Sequence, residues 1–194
     1  MKVLRFGRRR RAAITALVAA TLVAGGLALA APASAYKLNG CRFSGTAPGI
    51  SVYNGAIIAK YVTATSAGMS RWNAKALGPT FLSVTSSSAR KVLVTGWNSA
   101  ESYYAVTSGS CSSGIWSGTV TFTWNDTTVH SFSVTALRTI ATHEFGHTLG
   151  IADIAQAANC SGTKRVMEQG PNKWSCDWGT EPWTDDINGV KYIY

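Results

Sequence analysis

The spacing of apolar residues predicts a helix before and a helix after a strand-rich middle, with a last helix at the C-terminus. A short strand is predicted at residues 50–53, where apolar and polar side chains alternate. Asn54 can cap the first helix, which is expected to run to about residue 75 and to end before Gly78 and Pro79. Residues that recur at helical spacing form one face of this helix: Ile57, Tyr61, Thr65, Gly68 and Trp72.

The middle of the chain is rich in Val, Thr, Tyr and Trp, which favour strands. Strands are predicted at residues 81–85, 91–96, 102–107 and 119–124. Residues 108–114 form a Gly/Ser cluster that is predicted to separate the last two of these strands. Residues 36–49 are predicted to be irregular.

The second long helix is predicted to begin at a cap, Ser131 or Ser133, and to end at Gly150. The apolar stripe of this helix consists of Val134, Leu137, Ile140, Ala141 and Leu149. A long loop then runs to Thr184, where a last short helix opens with acidic residues in its first turn. The order helix, sheet, helix, loop and helix predicts an α+β domain.

The first 35 residues have the pattern of a secretory signal peptide. A basic start with four consecutive arginines precedes an apolar run and the small-residue cleavage pattern Ala33-Ser34-Ala35. The alternative is a membrane anchor, and the arginines leave twin-arginine export open beside general secretion. We expect cleavage after Ala35, which leaves residues 36–194 as a secreted, extracellular domain without a permanent membrane anchor.

Most of the net charge of +9 belongs to this leader. It holds six of the 18 basic residues and none of the nine acidic ones, so residues 36–194 carry a net charge of only +3. A nucleic-acid-binding surface requires a basic stripe, and the sequence after residue 35 contains none. We therefore expect no nucleic-acid partner, and we expect the domain to be a monomer.

All four cysteines follow the leader, and an even number of cysteines in an exported protein predicts two disulfides. Three pairings are possible. We favour Cys160–Cys176, which closes a short loop, and Cys41–Cys111, which ties down the N-terminal segment. The alternative, a cysteine metal site, requires a close pair such as Cys-x-x-Cys, which the sequence lacks.

The chemically informative stretch lies at the end of the second long helix. His143 and His147 are four residues apart, so on a helix they project from one face, one turn apart. Two neutral imidazoles at this spacing can bind Zn²⁺. Glu144 directly follows the first histidine and can reach a water beside the metal, where a general base must lie.

A catalytic zinc requires a third protein ligand and a position for water. Gly150 lets the helix stop and the chain turn through a conformation that is costly for other residues. Asp153, six residues after His147, can then return towards the metal and is the expected third ligand. The alternative third ligand is Glu168. Its separation along the sequence is close to that found when a remote glutamate ligand follows His-Glu-x-x-His, but this assignment leaves Gly150 unexplained.

This motif resembles that of the metzincin zinc peptidases. Residues 142–150 closely resemble the matrixin version, and residues 185–190 resemble the start of the matrixin C-terminal helix. Aspartate at the third ligand position is similar to the snapalysin family. The resemblance implies a single α+β domain with a twisted mixed β-sheet, a zinc-binding active-site helix and a C-terminal helix.

The same resemblance implies a methionine beneath the zinc, in a tight turn after the active-site helix. Met69 falls in the first predicted helix, so Met167 is the expected Met-turn residue. The alternative is a loop methionine that only fills space. Some relatives add a tyrosine ligand two residues later, where this chain has Gln169, so we expect no tyrosinate. The surroundings of Cys41 do not match the cysteine motif that blocks zinc in matrixin propeptides.

These features predict a secreted endopeptidase that hydrolyses peptide bonds with one zinc ion and with Glu144 as general base. The resemblance implies a peptide or protein substrate, bound as an extended strand at a sheet edge, for which residues 102–107 are the candidate. Trp174, Trp178 and Trp183 either line a specificity pocket or pack on the second disulfide. No Asp-x-Asp-x-Asp-Gly loop is present, and calcium binding is left open.

Two other classes of function are compatible with the sequence. One is a non-proteolytic secreted zinc amidase that acts on cell-wall peptides. The other is a catalytically silent binding module on the same fold. The presence of Glu144 argues against the second class, because a protein that only binds has no need of a general base.

Overall fold

A computed structural model describes residues 36–176 and 180–194, which form seven strands and five α-helices. The strands are β1 Lys37–Leu38, β2 Gly49–Asn54, β3 Thr80–Ser83, β4 Val92–Trp97, β5 Ala105–Ser112, β6 Ile115–Asn125 and β7 Ile151–Ala152. The α-helices are α1 Ala59–Asn73, α2 Asp126–Val129, α3 Val134–Thr148, α4 Asn172–Ser175 and α5 Thr184–Ile193. The single α+β domain with a mixed sheet is the predicted fold class.

Five strands form one mixed sheet in the order β3-β2-β4-β6-β5. All neighbouring pairs are parallel except β5 and β6, which form an antiparallel hairpin. Strand β5 therefore lies at one edge of the sheet. This edge faces the C-terminal half of α3, because the Thr107 hydroxyl on β5 lies 3.1 Å from the backbone oxygen of Glu144.

The core lies between one face of the sheet and the helices α1 and α3. Every second residue of the three central strands is buried on this face: Ile50, Val52, Val92, Val94, Val120, Phe122 and Trp124. Tyr61 of α1 stacks on Trp124 at a centroid distance of 4.9 Å, and Phe145 of α3 meets Phe122 edge-on at 5.6 Å. The helix that carries the motif is thus fixed to the sheet by its buried side.

The two long helices cross in close contact at Gly68. A Cβ atom at this position would lie 2.8 Å from the backbone carbon of Ala141, so a larger residue would push the helices apart. The indole nitrogen of Trp72 also donates a hydrogen bond to the carbonyl oxygen of Thr142, at 2.7 Å. These contacts explain why the apolar positions of the first helix include a glycine.

The first helix begins later than predicted. It starts at Ala59 with Ile58 as the N-cap residue, and not at a cap on Asn54. Asn54 still belongs to β2, where it pairs with Val94, and the next residue donates its backbone N–H to the Val94 oxygen at 2.8 Å. Pairing with β4 therefore outweighs the capping preference of Asn54.

The Gly/Ser cluster at residues 108–114 was expected to separate two strands, and most of it is strand instead. Strand β5 extends to Ser112, and the turn contains only Ser113 and Gly114, with φ values of 49° and 76°. Positive φ at both central residues is the geometry of a tight hairpin turn. Residues 102–104, which were predicted as strand, lie before β5.

Residues 36–49 were predicted to be irregular, but they contain a short strand. β1 pairs antiparallel with β7, which follows α3. The side-chain amide of Asn39 donates to the His147 oxygen at 2.8 Å, and its backbone N–H donates to the Gly150 oxygen at 2.9 Å. The N-terminal segment therefore holds the chain just beyond the motif.

Both disulfides that the sequence favours are present. Cys41 is bonded to Cys111 and Cys160 to Cys176, with Cα–Cα distances of 5.9 Å and 5.2 Å. The first joins the N-terminal segment to β5, and the second closes the loop before α5. Since Cys41 is disulfide-bonded, it is not available as a zinc ligand.

The predicted leader at residues 1–35 lies outside the described residues, and cleavage after Ala35 stays a prediction. Trp178 also lies outside them. Within residues 36–176 and 180–194, none of the helices combines the length and the apolarity that a membrane crossing requires.

Candidate metal centre

Helix α3 brings His143 and His147 to one face, as their spacing predicts. Its N-cap is Ser133, whose hydroxyl accepts from the Ala136 N–H at 3.2 Å, and it ends at Thr148. Gly150 then adopts a φ of 106°, and a Cβ there would lie 2.7 Å from the Cys41 oxygen. Only glycine fits this turn, which redirects the chain towards the histidines.

Backbone carbonyls fix the tautomer of both histidines. Nδ1 of His143 lies 2.8 Å from the Val166 oxygen, and Nδ1 of His147 lies 2.8 Å from the Ile151 oxygen. A carbonyl only accepts, so in each neutral imidazole Nδ1 carries the proton and Nε2 presents a lone pair. The two Nε2 atoms are 3.1 Å apart, and in the neutral imidazoles neither has a proton to donate to the other. Two facing lone pairs at this distance favour a cation between them.

Asp153 completes a triangle of donor atoms. Its Oδ1 lies 3.1 Å from Nε2 of His143 and 3.5 Å from Nε2 of His147. This oxygen is buried and accepts no hydrogen bond within the described part of the chain. Ligands of a tetrahedral zinc with bonds of 2.0–2.1 Å are about 3.4 Å apart, so the three atoms fit such an ion. The side-chain amide of Gln169 donates to the other oxygen, Oδ2, at 3.2 Å.

The site holds Asp153 as a carboxylate. Burial raises its pKa, but in the metal-free site hydrogen bonds from protonated imidazoles and their positive charge lower it more, and the net pKa lies well below its usual range. Burial lowers the pKa of His143, and the nearby Lys173 ammonium lowers it further. Burial also lowers the pKa of His147, but the contact with Asp153 outweighs it and the net pKa is raised.

Glu144 lies beside the histidines and is held by the edge strand. It is buried, and it offers a carboxylate oxygen within 4.8 Å of ligand atoms of both His143 and His147. The hydroxyl of Thr107 lies 2.7 Å from Glu144 Oε2. Because β5 supplies Thr107, the sheet edge and the carboxylate meet at one cavity of about 450 Å³, which the two histidines and Asp153 also line.

Met167 packs against α3, the helix that carries the two histidines. It is fully buried, and its sulfur packs against Gly146, which stands between the two histidines in the sequence. The preceding carbonyl, that of Val166, is the acceptor for His143. Met167 and Val166 thus contact the part of α3 that carries the histidines, and the assignment of Met167 as the Met-turn residue stays a prediction.

Asp186 ties the C-terminal helix to this turn. Its carboxylate accepts from the backbone N–H groups of Val166, Met167 and Trp183 at 2.9, 3.2 and 2.8 Å. Burial raises the pKa of this side chain to about 6, and the three hydrogen bonds oppose the rise. The sequence placed Asp186 in the first turn of α5 but gave no sign of this contact.

Glu168, the rival third ligand, has a different environment. Its Oε1 accepts from the Ala157 N–H at 3.1 Å and from the Asn172 side-chain amide at 3.2 Å, and so it fixes the loop. Among the described residues its carboxylate forms no ion pair with either histidine, whereas Asp153 Oδ1 lies 3.1 Å and 3.5 Å from the two Nε2 atoms. The arrangement therefore favours Asp153.

Lys173 is a buried residue of this site that sequence reasoning missed. Only 4% of it is exposed, its Nζ lies 3.3 Å from Nδ1 of His143, and it donates to the Glu168 carbonyl oxygen. Burial lowers its pKa to about 8, so the ammonium predominates at neutral pH. A lysine in a polar loop is normally solvated, and no pattern in the sequence distinguishes this one.

Of the loop tryptophans within the described residues, neither Trp174 nor Trp183 lines the cavity beside Glu144 or the neighbouring cavity that Tyr103 and Lys173 line. Trp174 packs instead on Tyr104 and Phe132, at centroid distances of 5.6 and 6.0 Å. Trp183 precedes α5 and lies 4.9 Å from the Lys164 ammonium.

Comparison with known proteins shows the fold of the chain but does not assign the chain to a family. No known family profile matches the chain, and no curated protein matches it. Among solved structures it is similar to myroilysin, at 17% identity, over 83% of this chain and 82% of that chain, with a TM-score of 0.50. It also matches a hatching-enzyme zinc-protease from the medaka fish Oryzias latipes at 13% identity, over 84% and 96% of the two chains, with a TM-score of 0.46. The likeness to myroilysin shows a shared fold.

Proposed function

We propose that the protein is a secreted zinc-dependent endopeptidase of the metzincin type. The observation that carries this proposal is the triangle of candidate ligand atoms formed by His143 Nε2, His147 Nε2 and Asp153 Oδ1. Two nitrogen donors and one oxygen donor, with no thiolate, suit a catalytic zinc that keeps one position open. When bound, this zinc would polarise the scissile carbonyl and lower the pKa of a water molecule.

The residues of the chain supply the proton transfers. Glu144 lies at the cavity, and its Oε2 is engaged by Thr107, which leaves Oε1 for the attacking water. Glu144 would accept a proton from that water and deliver it to the leaving amine. Burial excludes competing water from this carboxylate and strengthens its interactions.

The edge of the sheet suits an extended peptide. Among the residues that the structure describes, no strand pairs with the outer edge of β5, and residues 106–109 line the same cavity as Glu144. A substrate strand could therefore add main-chain hydrogen bonds to β5 while its scissile bond lies at the metal centre. This position follows the predicted residues 102–107 but lies a few residues further along.

Secretion is part of the proposal. The leader at residues 1–35 supports export and removal after Ala35, and the two disulfides suit an oxidising compartment. The proposed mature form, residues 36–194, acts as a monomer on peptide or protein substrates, without nucleic acid and without a permanent membrane anchor.

Casein digestion by the protein, with and without a zinc chelator, tests this function. We expect hydrolysis that the chelator abolishes and that added zinc restores, and a Glu144→Gln variant that keeps its zinc but loses nearly all turnover. Release of cell-wall peptides without casein cleavage would indicate an amidase instead. Zinc binding without hydrolysis of either substrate would indicate a binding module.

A further inference from the structure

We infer that Asn39 is a positioning residue for the metal centre and keeps His147 in the orientation that a bound metal ion requires. This inference rests on the proposed function, because that function makes His147 a metal ligand. The juxtaposition that carries it is the side chain of Asn39 on the backbone of a residue 108 positions later in the sequence. Residues 37–42, which contain Asn39, are called the N-terminal strap below.

The imidazole of His147 depends on the chain just after α3. Its Nδ1 lies 2.8 Å from the Ile151 oxygen, so the position of Ile151 sets the direction in which Nε2 points. Ile151 belongs to β7, a strand of two residues that pairs only with β1 among the described strands. An isolated pair of strands is marginally stable, so β1 and β7 need further contacts to stay in register.

Asn39 directly follows β1 and supplies such contacts. Its side-chain amide donates to the His147 oxygen at 2.8 Å, and its backbone N–H donates to the Gly150 oxygen at 2.9 Å. The first contact fixes the backbone of the proposed ligand. The second fixes the turn that leads to Ile151, the acceptor of its imidazole.

The N-terminal strap holds the side chain of Asn39 in one conformation. Its Oδ1 accepts from the Cys41 backbone N–H at 2.9 Å, which leaves the side-chain N–H groups directed away from the strap. Cys41 is bonded to Cys111 of β5, and the backbone of Arg42 forms two hydrogen bonds with the β5–β6 hairpin, at 2.9 and 3.0 Å. Asn39 therefore contacts His147 from a support that is anchored to the main sheet.

The other histidine is held by a different part of the chain. Nδ1 of His143 lies 2.8 Å from the Val166 oxygen, in the loop before α5. A change at Asn39 should therefore disturb His147 and leave His143 in place. This difference separates a positioning role from a general contribution to stability.

Zinc affinity, measured by competition with a chromophoric chelator, tests the inference. Asn39→Asp keeps the size of the side chain and the acceptor for Cys41 but removes the N–H that reaches His147. We expect the zinc affinity to fall about tenfold to a hundredfold, which is the usual effect of losing a partner that orients a ligand. Asn39→Ala, which adds no charge, should show a loss in the same range.

Asn73→Asp is the matched control. The Asn73 side chain donates to the Phe81 oxygen at 2.9 Å and accepts from the Phe81 N–H at 2.8 Å, at the contact between α1 and β3. This variant loses the same kind of hydrogen bond and gains the same charge, and it should keep the zinc affinity of the wild type. A loss as large as that in Asn39→Asp would overturn the inference, since it would assign the effect to general destabilisation.

Nuclear magnetic resonance of the metal-free protein gives a readout that needs neither zinc nor turnover. In Asn39→Asp we expect the ring signals of His147 to shift and broaden, while those of His143 keep their wild-type positions. Wild-type zinc affinity in both Asn39 variants, or an equal disturbance of the two histidines, would overturn the role of Asn39. A protein that binds zinc with this dependence on Asn39 but cleaves no peptide would refute only the peptidase proposal.

Discussion

The hydroxyl of Thr107 lies 2.7 Å from Oε2 of Glu144, and this contact joins the edge strand of the sheet to the proposed general base. The same hydroxyl lies 3.1 Å from the backbone oxygen of Glu144, but with one proton it donates to one acceptor at a time. The carboxylate is the shorter contact and the stronger acceptor. Thr107 therefore orients Glu144 while forming part of the surface on which the substrate would lie.

We expect Thr107→Val to lower kcat about tenfold, because a hydrogen bond to a charged group is lost while the side-chain shape is kept. KM should change little, since the backbone edge of β5 is preserved. Steady-state kinetics with a casein-derived peptide measures both constants. Thr107→Ser restores the hydroxyl and should recover most of kcat. A drop in kcat that serine does not recover would contradict the positioning role.

The third ligand can be assigned by metal content. We expect Asp153→Ala to lose its zinc on dialysis, because only two imidazoles would then hold the ion. Glu168→Ala is the matched control, and it should retain zinc although it loses loop contacts to Ala157 and Asn172. The zinc content of the dialysed proteins decides whether Asp153 or Glu168 is the third ligand. Zinc retention in Asp153→Ala together with zinc loss in Glu168→Ala would reverse the assignment.

Gly146 is required by the methionine below it. We expect Gly146→Ala to lower the free energy of unfolding by about 1–3 kcal/mol, because the new methyl group overlaps the sulfur of Met167 and lies against Trp72. Urea denaturation measures this loss. Thr135→Ala, on the exposed side of α3, is the control and should change stability little. The double variant Gly146→Ala/Met167→Ala should lose less stability than the sum of the losses in the two single variants. A loss equal to that sum would show that the two residues do not interact.

Asp186 gives stability a defined pH dependence. Burial raises the pKa of Asp186 to about 6 in the folded protein, above the usual 3.8, so the folded state binds the proton more tightly than the unfolded state. The contribution of this group to stability must then fall as pH rises from about 4 to 6 and level off above. The measurement is the difference in free energy of unfolding between wild type and Asp186→Asn across this range. A difference that stays constant or grows with pH would contradict the raised pKa.

The sequence predicted those parts of the molecule that depend on local spacing. The positions of His143 and His147 follow from helical geometry, the Ser133 cap and the acidic first turn of α5 follow from end preferences, and the buried faces follow from periodicity. Each of these depends on residues only a few positions apart.

What the sequence missed depends on contacts between distant segments. Asn54 does not cap the first helix because it pairs with β4. Most of the Gly/Ser cluster is strand because β5 pairs with β6. Thr107 and Lys173 reach the site only through the folded sheet edge and loop. Neither the type of these two residues nor the sequence around them indicates that they lie at the site, because threonine is common in strands and lysine is common in loops.

The central claim, a zinc ion bound by two imidazoles and one carboxylate, is tested most directly by anomalous diffraction at the zinc absorption edge from crystals of the protein purified after export. The account predicts one peak per chain, within about 2.0–2.2 Å of Nε2 of His143, Nε2 of His147 and a carboxylate oxygen of Asp153. A map without a peak at these three atoms, or with the peak bound by Glu168 in place of Asp153, would contradict it.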